Sequence, residues 1–135
     1  MASFIIGIFF ILHGLVHLLY AAQSQRQFEL RPGMVWPDGS WAFSKLLGDN
    51  VTRWLASIAC LVSAIGFMAG GLGLILGQAW WQPVVVSAVV FSSLIFVLFW
   101  DGKRQKLDDP GGVGLLINLA ILAALIIMQW PTVGS

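Results

Sequence analysis

His13 and His17 are the only histidines in the chain, and they lie four residues apart within "FFILHGLVHLLYAAQ", positions 9 to 23, a run otherwise fit for hydrocarbon. Residues four apart share one helix face, so the two imidazoles stack a turn apart, continued by Phe10 above and Tyr20 below. An ionisable residue inside an apolar span generally faces a bundle interior and marks a functional hypothesis by default. Three kinds of chemistry suit the pair. Neutral imidazoles can hydrogen-bond across a bundle to a hydroxyl, amide or carbonyl. They can present nitrogens to a metal or a haem, or one nitrogen to a quinone carbonyl. They can also form a proton relay or a small transport site.

The rest of the chain narrows these readings without choosing among them. Two ligands do not complete a structural zinc site and no third histidine exists, so a metal would need loop carboxylates or a second copy of the chain. Asp101, after Trp100, is placed to approach His17, where a carboxylate would hold an imidazole tautomer; as a helix-end charge it can equally be solvated. Asn118 is the only amide well inside the last apolar run, and Ser63, Ser87, Ser92 and Ser93 are the other polar groups at depth. No Ser or Cys neighbours a His in sequence, which gives hydrolase chemistry no support.

Composition sets the elements that must position these residues. The chain has 135 residues, 59% hydrophobic and 10% charged, with a mean hydropathy of +0.89; soluble domains carry about 25% charge. An integral membrane protein is expected. A net charge of +1 gives no footprint for a nucleic-acid partner. The single Cys60 allows no internal disulfide and reads as a small packing residue.

Four apolar runs, 4–22, 53–76, 83–100 and 113–130, approach the roughly 20 residues a helix needs to cross a bilayer. Backbone groups in lipid must bond within their own segment, so the fold class is all-α: one membrane domain, a bundle of four transmembrane helices. The first run reads as a permanent helix and not a signal peptide, since no basic segment precedes it and histidines interrupt it. All seven Lys and Arg fall between runs one and two (Arg26, Arg31, Lys45, Arg53) or three and four (Lys103, Arg104, Lys106). The positive-inside rule then places both loops in the cytoplasm and both termini outside, in a cell inner or plasma membrane.

Five of the seven tryptophans, Trp54, Trp80, Trp81, Trp100 and Trp130, mark the ends of the runs, as expected of an interfacial belt. Trp36 and Trp41 fall in the long loop 23–52, which is too apolar for a solvated linker. It reads either as a segment lying on the membrane surface or as a lid over a site between helices. Small residues of the second run, Ala56, Cys60 and Ala64 on one ridge and Gly66 and Gly70 on another, suit close helix packing within the bundle or between copies. The glycines of "GGVG", 111 to 114, follow no strand and are not read as a phosphate loop.

"IIGIFFILHGLVHLLY" resembles the opening helix of the DoxX-like membrane proteins in Gly7, Phe10, His13, Gly14 and Leu18, and "GFMAGGLGLILGQAWW" is similar to their glycine-rich second helix. His17 stands where that family more often shows a Lys. The resemblance implies a small membrane subunit associated with quinone-linked or thiol-related oxidoreductases. The resulting expectation is an auxiliary subunit, alone in the bilayer, as a homo-oligomer or in a larger membrane complex. It would bind a quinone, haem or metal through Phe10, His13, His17 and Tyr20, with Trp36 and Trp41 closing the cytoplasmic mouth and Asp101 and Asn118 supporting the histidines. A small transporter or proton-coupled carrier, or a purely structural subunit, are the alternatives.

Overall fold

A computed structural model describes residues 1–30, 32–102 and 112–134. It is helical throughout, with no strand among the described residues. The helices are α1 (Ala2–Ser24), α2 (Ser44–Ile75), α3 (Trp81–Leu98) and α4 (Gly112–Leu122), the last continued by a π-helical turn over Ala123–Ile127. The first three are long and apolar enough to cross a membrane; the fourth, even with its π turn, is shorter. Arg31, Lys103, Arg104, Lys106, Asp108, Asp109 and Gly111 lie outside the described residues, so the charges of the second basic loop are known only from sequence.

The arrangement of α1 shows how the bundle is built. Its buried positions include Ser3, Gly7, Phe10, Gly14, His17, Ala21 and Ser24, alternating steps of four and three that make a straight seam along a helix. That seam is small and polar, whereas Phe4, Ile5, Phe9, Leu12 and Leu19 face outward. Along α1 the buried seam is less apolar than the exposed face, the reverse of a water-soluble bundle and compatible with a membrane-spanning helix.

Glycines set the spacing between helices. A Cβ on Gly71 of α2 would lie 2.5 Å from the Gly7 carbonyl oxygen of α1, and one on Gly14 would lie 2.9 Å from that of Ala64. On its other side, α2 meets α3 where a Cβ on Gly66 would be 2.9 Å from that of Ala88, and one on Gly70 would overlap Val85. The small-residue ridges of α2 therefore serve packing within the bundle. Ala56, Cys60 and Ala64 are likewise buried.

Two boundaries differ from the sequence expectation. Helix α2 starts nine residues early because the chain stays coiled through "SKLLGDN". The break falls at Gly48, whose φ of 79° and ψ of 162° leave the helical region, and a positive φ is a conformation glycine adopts without a Cβ clash. The last helix stops at Ile127 and not at residue 130. Pro131 removes a backbone donor and disfavours helix at the residue before it, and the chain leaves helical geometry ahead of it.

The ends of the bundle are clearly sorted. Ser3 Oγ donates to the Thr132 carbonyl at 2.9 Å, and Gly77, in the turn between α2 and α3, approaches Val133, so both chain termini share one end. At the other end the Trp41 amide donates to the Trp100 carbonyl at 2.9 Å. Loop 25–43 folds back there, burying Met34, Trp36 and Ser40. Trp41 stays 56% exposed and Leu46 82% exposed. Trp81 departs from the belt pattern: it is buried and stacks on Phe10 at 6.3 Å.

Candidate functional site

Helix α1 presents both histidines to the interior because Gly7 and Gly14 bring its seam against α2, which leaves the His13 and His17 rings to reach α3 and α4. Phe67 of α2 packs on both, at 4.6 Å from His13 and 5.1 Å from His17 between ring centroids. His17 is 1% exposed and Ser92 and Asn118 are fully buried. Five hydrogen bonds connect these four side chains, Ser93 and one carbonyl. His17 Nδ1 is 2.8 Å from the His13 carbonyl and His17 Nε2 is 2.6 Å from Ser92 Oγ. Asn118 Nδ2 lies 3.1 Å from Ser92 Oγ and 3.2 Å from Ser93 Oγ, and Asn118 Oδ1 is 3.0 Å from His13 Nε2.

With both rings neutral, the direction of every bond follows from one group that can only accept. The His13 carbonyl takes a proton from His17 Nδ1–H, so His17 Nε2 carries a lone pair. Ser92 must then donate to that nitrogen, which leaves its oxygen to accept from Asn118 Nδ2–H. Ser93 gives its proton to the Val89 carbonyl, 2.8 Å away, and accepts the other Asn118 N–H. The amide oxygen therefore faces His13, and His13 must carry its proton on Nε2. The bonds close into a directed ring running from His13 to Asn118 to Ser92 to His17 and back to His13. Its two histidines are opposite tautomers.

The other sequence candidates fall in three places. Phe10 lies beside the ring in the core with Phe67 and Trp81. Tyr20 and Trp36 form an aromatic layer below it: Tyr20 is 5.1 Å from Phe96 and 5.3 Å from Trp36, and Phe96 is 5.8 Å from His17. Trp36 thus closes the loop end of the seam. Trp41 does not join it; its indole N–H donates to the Val97 carbonyl at 2.6 Å on the outside. Asp101 is near Gly39 at the bundle end, and both nitrogens of His17 are already engaged by Ser92 and His13.

A second polar network secures that end. Asp38 receives Arg26 at 2.9 Å and a two-pronged contact from Arg53. Arg26 also donates to the Val35 and Trp36 carbonyls. Gln23, the last amide of α1, clamps the loop, giving an N–H to the Met34 carbonyl at 3.0 Å and accepting from the Leu30 amide at 2.8 Å. Sequence reasoning passed over Gln23; an amide ending an apolar helix just before a turn-rich loop was the available signal.

Beside the ring, between α1 and α4, lies an apolar groove of about 260 Å³ lined by Ile6, Phe9, Phe10, Ile117 and Leu125. The π turn of α4 supplies part of its wall. Among the described residues no three His, Cys, Asp or Glu side chains gather in a way that could hold a metal ion. No family model, curated protein or solved structure matches the chain.

Proposed function

We propose that the chain is a small integral membrane protein of auxiliary, non-catalytic type, inserted with both termini outside. In this reading the histidine pair is a neutral clasp that joins α1, α3 and α4. The observation that carries it is the closed hydrogen-bond ring. A proton relay needs every member to take a proton on one side and release one on the other. The His13 carbonyl has no proton to release, and the Asn118 amide is a poor carrier, so the ring holds its direction instead of passing charge. A two-histidine metal or haem site would have to break it, since His17 has no free nitrogen and His13 Nε2 is in use. The orientation rests on Arg26, Lys45 and Arg53 all lying at the loop end, opposite the termini.

The test is nitrogen magnetic resonance on histidine-labelled protein in bilayers. His13 is expected as the Nε2–H tautomer and His17 as the Nδ1–H tautomer, both unchanged between pH 6 and 8. A shared tautomer, or an imidazolium appearing in that range, would sink the clasp and favour a proton-coupled carrier.

The apolar groove supports a second reading, a lipid-like ligand such as a quinone, whose tail would lie on Ile6, Phe9 and Phe10; a short-tailed quinone that binds wild type and Phe9→Trp equally would remove it.

A further inference from the structure

Trp36 and Trp81 are both buried, and neither indole N–H has a hydrogen-bond partner among the described residues. They differ in access. The Trp36 nitrogen is sealed inside the protein. Trp81 is only 3% exposed, yet it borders a pocket of about 600 Å³ between the start of α3 and the end of α4, beside Gln82, Leu125, Gln129 and Pro131, and its nitrogen is not sealed. Gln82 Nε2 donates to the Leu125 carbonyl at 3.2 Å, which ties the two walls of this pocket together.

Trp81 also joins the pocket to the apolar groove between α1 and α4. Its ring stacks on Phe10, which lines that groove, and Leu125 and Pro131 wall both spaces. From Leu125 to Ile117 the groove follows α4 for about 12 Å. The joined space thus has a buried N–H donor at the end where Trp80 and Trp130 are exposed, and an apolar trough running inward from it.

Charge decides which acceptor suits the donor. No Lys, Arg, Asp or Glu occurs in residues 54–100 or 110–135, so the pocket has no charged side chain to hold a phosphate or an ammonium. An indole N–H needs only a neutral oxygen. The ester carbonyls of a glycerolipid lie just beneath its headgroup, at the depth that exposed tryptophans mark, and each continues directly into an acyl chain.

We infer that this space holds one glycerophospholipid from the leaflet on the side of the termini, with an ester carbonyl accepting from Trp81 Nε1–H and the acyl chain lying along Ile6, Phe10 and Ile117. The lipid supplies the partner that the indole lacks within the chain, and its tail fills a trough that α1 and α4 leave open. This inference rests on the membrane reading and on the lipid-like reading of the groove, for which it names a resident occupant.

The experiment is photolabelling in vesicles of diester phosphatidylcholine or of its diether analogue, which has the same headgroup and chains but no carbonyl. Each contains a trace of diester phosphatidylcholine carrying a diazirine in its acyl chain. Carbonate extraction comes first: a chain released from the membrane overturns the membrane reading itself. In wild type, the peptides that line the groove should be labelled about fivefold more strongly in the diether host, where no host lipid competes for the indole, as one hydrogen bond of about 1 kcal/mol requires. Trp81→Phe keeps a ring against Phe10 and should bring that ratio to one. Equal labelling of wild type in the two hosts overturns the inference and leaves a lipid-like ligand in the groove; no labelling of the groove in either host overturns both. A short-tailed quinone that displaces the label in the diester host overturns the glycerolipid in favour of the quinone.

Discussion

The molecule holds two polar networks of similar size that work under opposite rules. The ring of His13, Asn118, Ser92 and His17 is neutral and buried among aromatic side chains. The Arg26, Asp38 and Arg53 cluster is charged, with side chains 18 to 30% exposed, and pins a loop to the end of the bundle. In the ring, water cannot replace a lost partner, so each group depends on all the others. In the cluster, solvent takes over whatever the protein releases. Charge stands where it can be hydrated, and neutral amide, hydroxyl and imidazole stand where it cannot, the division that the cost of burying charge imposes.

The sharpest way to break the comparison is to remove one member of the ring. Asn118→Leu strands the His13 Nε2–H and removes the bonds to both serines, so we expect a loss of about 3 kcal/mol in reversible unfolding from mixed micelles. Replacing His13, His17 and Asn118 by Leu together with Ser92→Ala should recover much of that loss, because no stranded group remains. A fourfold variant as unstable as the single one would mean that packing, and not polar satisfaction, carries the effect.

Asp38→Asn is the matching change in the cluster. The expected cost is about 0.5–1 kcal/mol, reduced further by salt, with faster proteolysis within loop 25–43 as the more sensitive readout. A loss equal to that of Asn118→Leu would erase the distinction between the two networks. Trp41→Phe should have the smallest effect. It removes one exposed hydrogen bond to Val97 and leaves the ring untouched, so a melting temperature within a few degrees of wild type is expected.

Much of this organisation was legible along the chain. The inward face of Phe10, His13 and His17 follows from their spacing, and the close packing of α2 from its small residues, because helix periodicity converts sequence intervals directly into faces. The seam of Ser3, Gly7, Gly14 and Ala21 became visible only in the structure. The tryptophans were less transparent. Trp81 has the same neighbours in sequence as an interfacial residue but is drawn inward by Phe10, a residue 71 positions away. Trp36 and Trp41 occupy the same loop, yet one is buried on Tyr20 and Phe96 and the other lies outside. The start of α2 was hidden because Gly48-Asp49-Asn50 is turn-like in composition, whereas the fold carries the helix across the kink.

By itself the sequence determined that the chain forms apolar helices, that two histidines share one face, and that the basic residues fall between the apolar runs. These properties depend on composition and on intervals of three and four residues. Only the tertiary structure decided what the histidines do. Ser92 is 75 residues from His17, and Asn118 is 105 from His13. No local period relates such positions, and the direction of the ring comes from a backbone carbonyl that is the same whatever the side chain.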